Sequence, residues 1–255
     1  MTRIILSGCS GVMGKTITDL VKDDDEAHIV AGIDLTDDGT KEYPIFSAIG
    51  QCTVEADVLI DFSTPKILDE ILEYCEKNKL PAVLCATGYD EKQLAAIEAA
   101  AEKSAILRSA NMSLGINTLL RLLQDAVKLF APEGYDVEIV EKHHNQKLDA
   151  PSGTAIALAD SINEAMDGQY EYVYDRSQRR QKRDRKELGI SSVRGGTIVG
   201  QHDVIFAGAD EVITFSHTAY SKAVFGKGAV AAAKFLNGKE SGRFEMSDVI
   251  AAANQ

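Results

Sequence analysis

The sequence predicts an α/β protein in which a parallel sheet is covered by helices on both faces, with a second, α+β domain inserted before the chain closes. Two observations predict the sheet: short apolar runs that suit buried strands alternate with stretches of helical periodicity, and a glycine turn separates the first strand from the first helix. A third predicts the insertion. After Ser113 the alternation gives way to one long helix, a second strand–helix pair and a run of strands joined by glycines.

Residues 2 to 7 are β-favouring and run into Gly8-Cys9-Ser10-Gly11-Val12-Met13-Gly14, after which Ile17, Leu20 and Val21 recur at helical spacing. The next strand, His28 to Ile33, ends in Asp34. Ala56 to Phe62 is a buried-strand run, and Ser63-Thr64-Pro65 opens a helix to about Lys77. A strand at Ala82 to Cys85, the loop Ala86-Thr87-Gly88, a helix over Glu91 to Lys103 and a strand at Ala105 to Arg108 complete the series. In the insertion a helix spans Ile116 to Phe130, a strand Asp136 to Glu141 and a helix Thr154 to Met166. Ile190 to His217 reads as three strands joined by glycine turns and expected to be antiparallel. The last helix, Ala223 to Leu236, carries the small residues of a helix lying on a sheet, so the domains fall at 1–113 with 222–255 and at 114–221.

The totals narrow the function. The chain has 255 residues, 45% hydrophobic and 26% charged, which is globular composition. Its longest apolar runs fall short of the roughly 20 residues of a membrane span, and its first residues do not form a signal peptide, so the cytoplasm is the expected location and no membrane partner is expected. A net charge of −12 argues against a nucleic-acid partner. Cys9, Cys52, Cys75 and Cys85 show no CxxC pairing and are expected reduced. Seven of the eleven residues from Arg176 to Lys186 are basic, and a solvated surface loop is the expectation for them.

Two clusters carry chemistry. Gly8, Gly11 and Gly14 let the backbone approach a pyrophosphate at a helix N-terminus, and Asp34 ends the second strand, where an acceptor for a ribose diol is expected. A tight turn without a ligand is the competing explanation, but the strand–turn–helix context favours a Rossmann-type dinucleotide site. Asp34 followed by Leu35 rather than arginine favours NADH, with NADPH as the alternative if Lys41 reaches its 2′-phosphate. The second cluster runs from Glu138 through His143, His144, Lys147 and Asp149 to Ser152-Gly153-Thr154. Adjacent histidines and a lysine are costly to bury, and the helix opening at Gly153 and Thr154 offers N–H groups to a carboxylate. A histidine beside such an anion clamp suits proton donation. Zinc is disfavoured, because neighbouring histidines on an extended chain point apart and no third ligand lies at a familiar spacing; no metal is expected.

The segment Glu141-Lys142-His143-His144-Asn145-Gln146-Lys147-Leu148-Asp149-Ala150-Pro151-Ser152-Gly153-Thr154-Ala155 resembles the signature E-x-H-H-x-x-K-x-D-A-P-S-G-T-A of the 4-hydroxy-tetrahydrodipicolinate reductase (dihydrodipicolinate reductase) family. Asp61-Phe62-Ser63, Asn111-Met112-Ser113-Leu114-Gly115, Arg194-Gly195-Gly196 and Gly200-Gln201-His202 extend the resemblance. It implies reduction of a cyclic dicarboxylate in the diaminopimelate route to lysine by a homotetramer. By position it implies His143 as proton donor, Lys147 as second catalytic residue, and His144, Gly153 and Thr154 on the substrate carboxylate. Gly8, Cys9, Ser10, Gly11, Val12, Met13, Asp34, Cys85, Ala86, Thr87, Ala110, Asn111, Met112 and Ser113 would line the cofactor. Cys85-Ala86-Thr87-Gly88 departs from the Gly-Thr-Thr-Gly loop familiar in the family. The rivals are another two-domain NAD(P)-dependent oxidoreductase acting on an amino or hydroxy dicarboxylate, and a dinucleotide-sensing regulator, which would need no proton donor.

Overall fold

The computed structural model describes residues 1–109 and 111–253, and the chain divides into two compact units, Met1–Leu114 with Lys222–Gln255, and Gly115–Ser221. In the first unit β1 (Thr2–Ser7), β2 (Ala27–Ile33), β3 (Ile45–Phe46), β4 (Val58–Asp61), β5 (Ala82–Leu84), β6 (Ala105–Arg108) and β12 (Gly242–Phe244) form one sheet in the order β12-β6-β5-β4-β1-β2-β3. All its pairings are parallel. Because side chains alternate along a strand, Ile4, Leu6 and Ile60 enter one buried cluster while Ile5 and Leu59 enter another. The first cluster packs under α1 (Val12–Val21), α6 (Ala223–Leu236) and α7 (Met246–Ala253), and the second under α2 (Leu68–Asn78) and α3 (Glu91–Ala101). The expected parallel sheet covered on both faces is what forms.

Small residues on α6 let it lie close to the backbone. A Cβ at Gly228 would run into the Met112 carbonyl, and one at Gly226 would come within 2.9 Å of Leu20 Cδ1. The short strands β3 and β12 and helix α7 are additional to the sequence expectation. Each is short, and the two strands sit at the sheet edges, where little periodicity accumulates.

In the second unit β7 (Asp136–His143), β8 (Glu171–Val173), β9 (Glu187–Arg194), β10 (Gly200–Ala207) and β11 (Val212–Ala219) form a sheet in the order β11-β10-β7-β9-β8. Helices α4 (Leu114–Phe130) and α5 (Gly153–Glu164) supply Leu123, Val127, Leu158 and Ile162 to a core with Val137, Ile139, Leu188, Ile190, Val204 and Phe206. The expected all-antiparallel set is corrected here. Only β10 and β11 form a hairpin, whereas β9 pairs in parallel with β7, which lies between β9 and β10. Strand period was visible in the sequence, but the choice of partner rests on contacts distant in the chain.

The basic stretch is likewise corrected in part. Arg176 and Arg183 donate to Glu138, Arg183 also to Asp136, and Arg176 and Arg179 to Glu187, so three of its seven cations bind carboxylates of β7 and β9 rather than facing water alone. Among the described residues no helix is long and apolar enough to cross a membrane.

Gly228→Ala is expected to destabilise the first unit by roughly 3 kcal/mol, the cost of overpacking against backbone that has nowhere to move. Urea unfolding followed by circular dichroism measures it, and an unchanged midpoint would contradict the close approach.

Candidate active site

In a parallel sheet every strand ends at the same edge, so the loops after β1, β2, β5 and β6 emerge together. The turn after β1 is built for close approach. Gly8 has φ +78°, and a Cβ there would lie 2.8 Å from the Phe62 carbonyl; a Cβ on Gly14 would strike the Gly8 carbonyl. Gly11 caps α1 without a side chain, which leaves the N-terminus of α1 open to an anion beside Val12 and Met13. Cys9 is fully buried and can offer only its backbone, with its thiol pressed against Gly32.

Asp34 meets this turn directly. Its Oδ2 accepts from the Ser10 N–H at 2.9 Å, its Oδ1 accepts from the Thr36 N–H and hydroxyl at 3.3 Å, and the Ser10 hydroxyl donates to the Thr36 carbonyl at 2.7 Å. A glycine cradle with a carboxylate fixed at its mouth fits a dinucleotide's pyrophosphate and ribose. Cys85, Ala86 and Thr87 follow β5, with Thr87 exposed. After β6, Met112 is buried in the core and the Ser113 N–H donates to Asn111 Oδ1 at 2.8 Å. Ala110 lies outside the described residues.

The second unit holds a polar cluster at the end of its central strand. Along β7 the inward positions are Val137, Ile139, Glu141 and His143, so the face that is apolar at one end becomes a carboxylate and an imidazole at the other. The strand is two residues longer than expected, which makes His143 its last residue and not the first of a loop. Glu141 has no solvent exposure. Arg194, at the end of β9, donates to it through both Nη atoms at 2.8 and 2.7 Å, the Ser152 N–H donates at 3.0 Å, and His143 Nδ1 lies 2.6 Å from Oε2. Burial pushes the Glu141 carboxyl up, but the bonds from Arg194, His143, Ser192 and Ser152 outweigh it and leave the group at about 2. An ionised carboxylate only accepts, so His143 Nδ1 carries the proton and Nε2 is the nitrogen left for other work. A Cβ at Gly200 would come within 3.1 Å of that Nε2, so glycine there keeps side-chain bulk away from it.

Ser152 caps α5, its hydroxyl accepting from the Ala155 N–H at 3.1 Å and lying 3.0 Å from His202 Nε2. His202, opposite Glu141 in β10, packs edge-on to His143 with ring centroids 5.2 Å apart. Burial, reinforced by His143, pushes His202 down to about 4, so it is neutral. His144, the first residue past β7, is half-buried. Its loop is tied back by the Gly195 N–H on the His143 carbonyl at 2.9 Å and by Arg194 Nη2 on the Asp149 carbonyl at 2.7 Å. Lys147 Nζ lies 2.8 Å from Asp149 Oδ1. Hydrogen bonding from Lys147 first, with help from the Gly153 N–H, holds the Asp149 carboxyl below the usual range. The chain's own carboxylate thus engages two of the groups expected to clamp a substrate anion.

Glu141, Asp149, Arg194 and His202 were quoted in the sequence motifs without a role, and Ser152 only as part of the anion-binding helix start. A signal existed for one of them: Glu-x-His on a strand puts both side chains on one face. Arg194 and His202 are brought in by strand pairing, which leaves no local trace.

A doubly wound sheet with a glycine turn of the dinucleotide-cradle type, in one chain with a unit that places a histidine and a lysine near a helix start, is the build of a nicotinamide-dinucleotide-dependent reductase. Residues 2–112 match the family model described as dihydrodipicolinate reductase, N-terminus, and residues 115–250 the one described as its C-terminus. The chain belongs to the dihydrodipicolinate reductase family. It is 48% identical over 250 residues to the 4-hydroxy-tetrahydrodipicolinate reductase of Caldanaerobacter subterraneus subsp. tengcongensis, covering 98% of each chain. It is 47% identical over 255 residues to that of Clostridium novyi, covering 100% of each. Among solved structures, dipicolinate-bound dihydrodipicolinate reductase from Paenisporosarcina sp. TG-14 superposes with a TM-score of 0.77 at 25% identity, covering 96% of this chain and 97% of that one.

Both buried groups make stability fall in acid. His202 binds a proton near 6.5 when unfolded but only near 4 when folded, and Glu141 near 4.5 against about 2, so between each pair of values the unfolded chain holds the extra proton. Stability is therefore full above pH 6.5 and is lost as pH falls, first through His202 and then through Glu141, each on the order of 3 kcal/mol. Urea midpoints across this range test it: His202→Gln should flatten the limb above pH 4 and spare the lower one.

Proposed function

We propose that the chain reduces 4-hydroxy-tetrahydrodipicolinate to tetrahydrodipicolinate, the reductase step of the diaminopimelate route to lysine, with NADH as the preferred reductant and NADPH as the weaker one. The observation that carries this is His143, held by a buried carboxylate through Nδ1 at the end of β7, from which the loop and helix carrying Lys147, Gly153 and Thr154 follow. When bound there, reduced nicotinamide would supply the hydride for ring C4 of the substrate. His143 gives a proton from Nε2, and the substrate hydroxyl leaves as water overall. Lys147 assists as the second catalytic residue, and His144, Gly153 and Thr154 hold a substrate carboxylate. That carboxylate takes the place of Asp149, whose side chain is 55% exposed and is released to water at little cost.

On the cofactor side, Gly8, Cys9, Ser10, Gly11, Val12 and Met13 hold the pyrophosphate and Asp34 the ribose. Cys85, Ala86, Thr87, Ala110, Asn111, Met112 and Ser113 line the remainder. The preference for NADH is supported by the carboxylates of Asp34, Asp37 and Asp38 on one short loop and by Leu35 where a phosphate-binding arginine would be needed. Assembly as a homotetramer is supported by the second unit's sheet, whose helices α4 and α5 both pack into the core cluster on one face, while Val212, Thr214, Ser216 and Thr218 of β11 are exposed on the other. Light scattering at working concentration tests it.

The deciding assay couples the chain to the synthase that makes the unstable substrate from pyruvate and aspartate semialdehyde, and follows oxidation of NADH and NADPH. Synthase-dependent turnover, faster with NADH, is expected; turnover independent of the synthase would move the substrate elsewhere. His143→Gln should lower kcat by roughly 10²-fold, the scale of a lost general acid, with cofactor affinity unchanged. Asp149→Asn should lower KM about fivefold, since an ion pair of this exposure is worth up to about 1 kcal/mol. A KM that stays level or rises would remove Asp149 as competitor for the clamp.

A further inference from the structure

The inference rests on His143 as proton donor and concerns what makes it one. Three neighbouring strands and a helix start converge on Glu141: His143 from its own strand, Arg194 from β9, and Ser152 from the N-terminus of α5, with His202 of β10 bonded to Ser152 in turn. A carboxylate with no water contact is costly unless every lone pair is met. Here four donor contacts of 2.6 to 3.0 Å meet it, and each oxygen takes two: Oε1 faces Arg194 Nη2 and the Ser152 N–H, and Oε2 faces Arg194 Nη1 and His143 Nδ1.

We propose that Glu141, locked by Arg194, is a positioning residue that fixes the tautomer of His143 and ties the imidazole to the anion-binding end of α5. Three of these four donor atoms cannot reverse direction, because the guanidinium and the backbone N–H only donate. Of the four, His143 Nδ1 is the one that can; the Ser192 hydroxyl, which also lowers the Glu141 carboxyl, stands outside these contacts. The carboxylate therefore forces the proton onto Nδ1, which dedicates Nε2 to giving and regaining the catalytic proton. The same carboxylate grips Ser152, whose neighbours Gly153 and Thr154 begin the helix. A shift of the clamp is thereby transmitted to the imidazole through one rigid group.

Glu141→Gln is the informative change because its amide must place an NH2 where an oxygen stood. At the Oε1 position the NH2 would face two fixed donors, Arg194 Nη2 and the Ser152 N–H. At the Oε2 position it faces one fixed donor and His143 Nδ1, which can become an acceptor. The variant is thus expected to invert the neutral tautomer, moving the proton to Nε2 and leaving no bare Nε2 to be recharged. The corresponding change in the Ser-His-Asp triad, where an amide replaces the orienting carboxylate, costs about 10⁴-fold in kcat through the wrong tautomer; here at least roughly 10²-fold is expected.

The experiment combines steady-state kinetics with ¹⁵N spectra of histidine-labelled enzyme, His143→Gln assigning the His143 resonances. In the parent, Nδ1 should be protonated and Nε2 bare in the neutral form; in Glu141→Gln the pattern should reverse, kcat should fall, and KM for the dinucleotide should hold. Glu141→Gln combined with His143→Gln should be no slower than His143→Gln alone. If His143→Gln keeps full activity, His143 is not the donor and the functional reading fails. If His143→Gln is impaired but Glu141→Gln keeps both its tautomer and its kcat, the positioning role fails alone. Should Glu141→Gln not fold, Arg194→Lys loses the two-point grip while keeping the charge. A lowered kcat with unchanged dinucleotide KM supports the proposal, and an unchanged kcat overturns it.

Discussion

A carboxylate cut off from water must be met by donors on all sides, and in this chain that demand falls on Glu141. Its position in the middle strand of a five-stranded sheet fixes which elements must supply them. Arg194 can do so only because β9 runs parallel to β7 with Arg194 opposite His143, and Ser152 only because the loop after β7 returns to start a helix beside the strand. Strand order, the loop from His144 to Ser152 and the direction of α5 are thus bound to one side chain. Remove that ion and a guanidinium, an imidazole and a helix cap all lose a partner in the same buried volume.

The first unit obeys a simpler constraint. A parallel sheet buried on both faces leaves only its strand ends free, so whatever chemistry the unit carries must be built from the loops at one edge. Gly8 and Gly14 are required there because backbone approaches backbone: Gly8 meets the loop after β4, and Gly14 meets Gly8. Asp34 is held against the turn by the Ser10 N–H, so the acidic end of β2 and the glycine turn are fixed as one piece. The same logic of small residues recurs at Gly228, where α6 lies against the Met112 carbonyl and keeps the segment after β6 in place.

The second unit handles charge in two opposite ways. Lys147 and Asp149 form a partly exposed pair that can open to water. Glu141 and Arg194 form a buried pair that cannot, which suits a group that must hold an imidazole still. The arginines of the basic stretch belong to the second kind in part: Arg176, Arg179 and Arg183 bind Glu138, Asp136 and Glu187 and so join the segment before β9 to the strands beside it.

Much of this was legible in the sequence, because it rests on local physics. Strand and helix periods gave the parallel sheet, the glycine spacing gave the cradle with Asp34 at its mouth, and the run from Glu141 to Thr154 brought together His143, His144, Lys147, Gly153 and Thr154 within one short segment. What the sequence could not determine is which distant residues complete the site. Arg194 lies 53 residues from Glu141, and His202 lies 50 from Ser152. Nothing in the local pattern distinguishes the parallel β7–β9 pairing from the antiparallel β9–β10 pairing expected. The sequence by itself determined most element types and the short segment on which the candidate residues cluster, since those follow from side-chain period and chemistry over a few positions. Only the tertiary structure decided strand partners, the enclosure of Glu141 and which His143 nitrogen it engages, because these depend on hydrogen bonds between elements that meet only when the sheet is assembled.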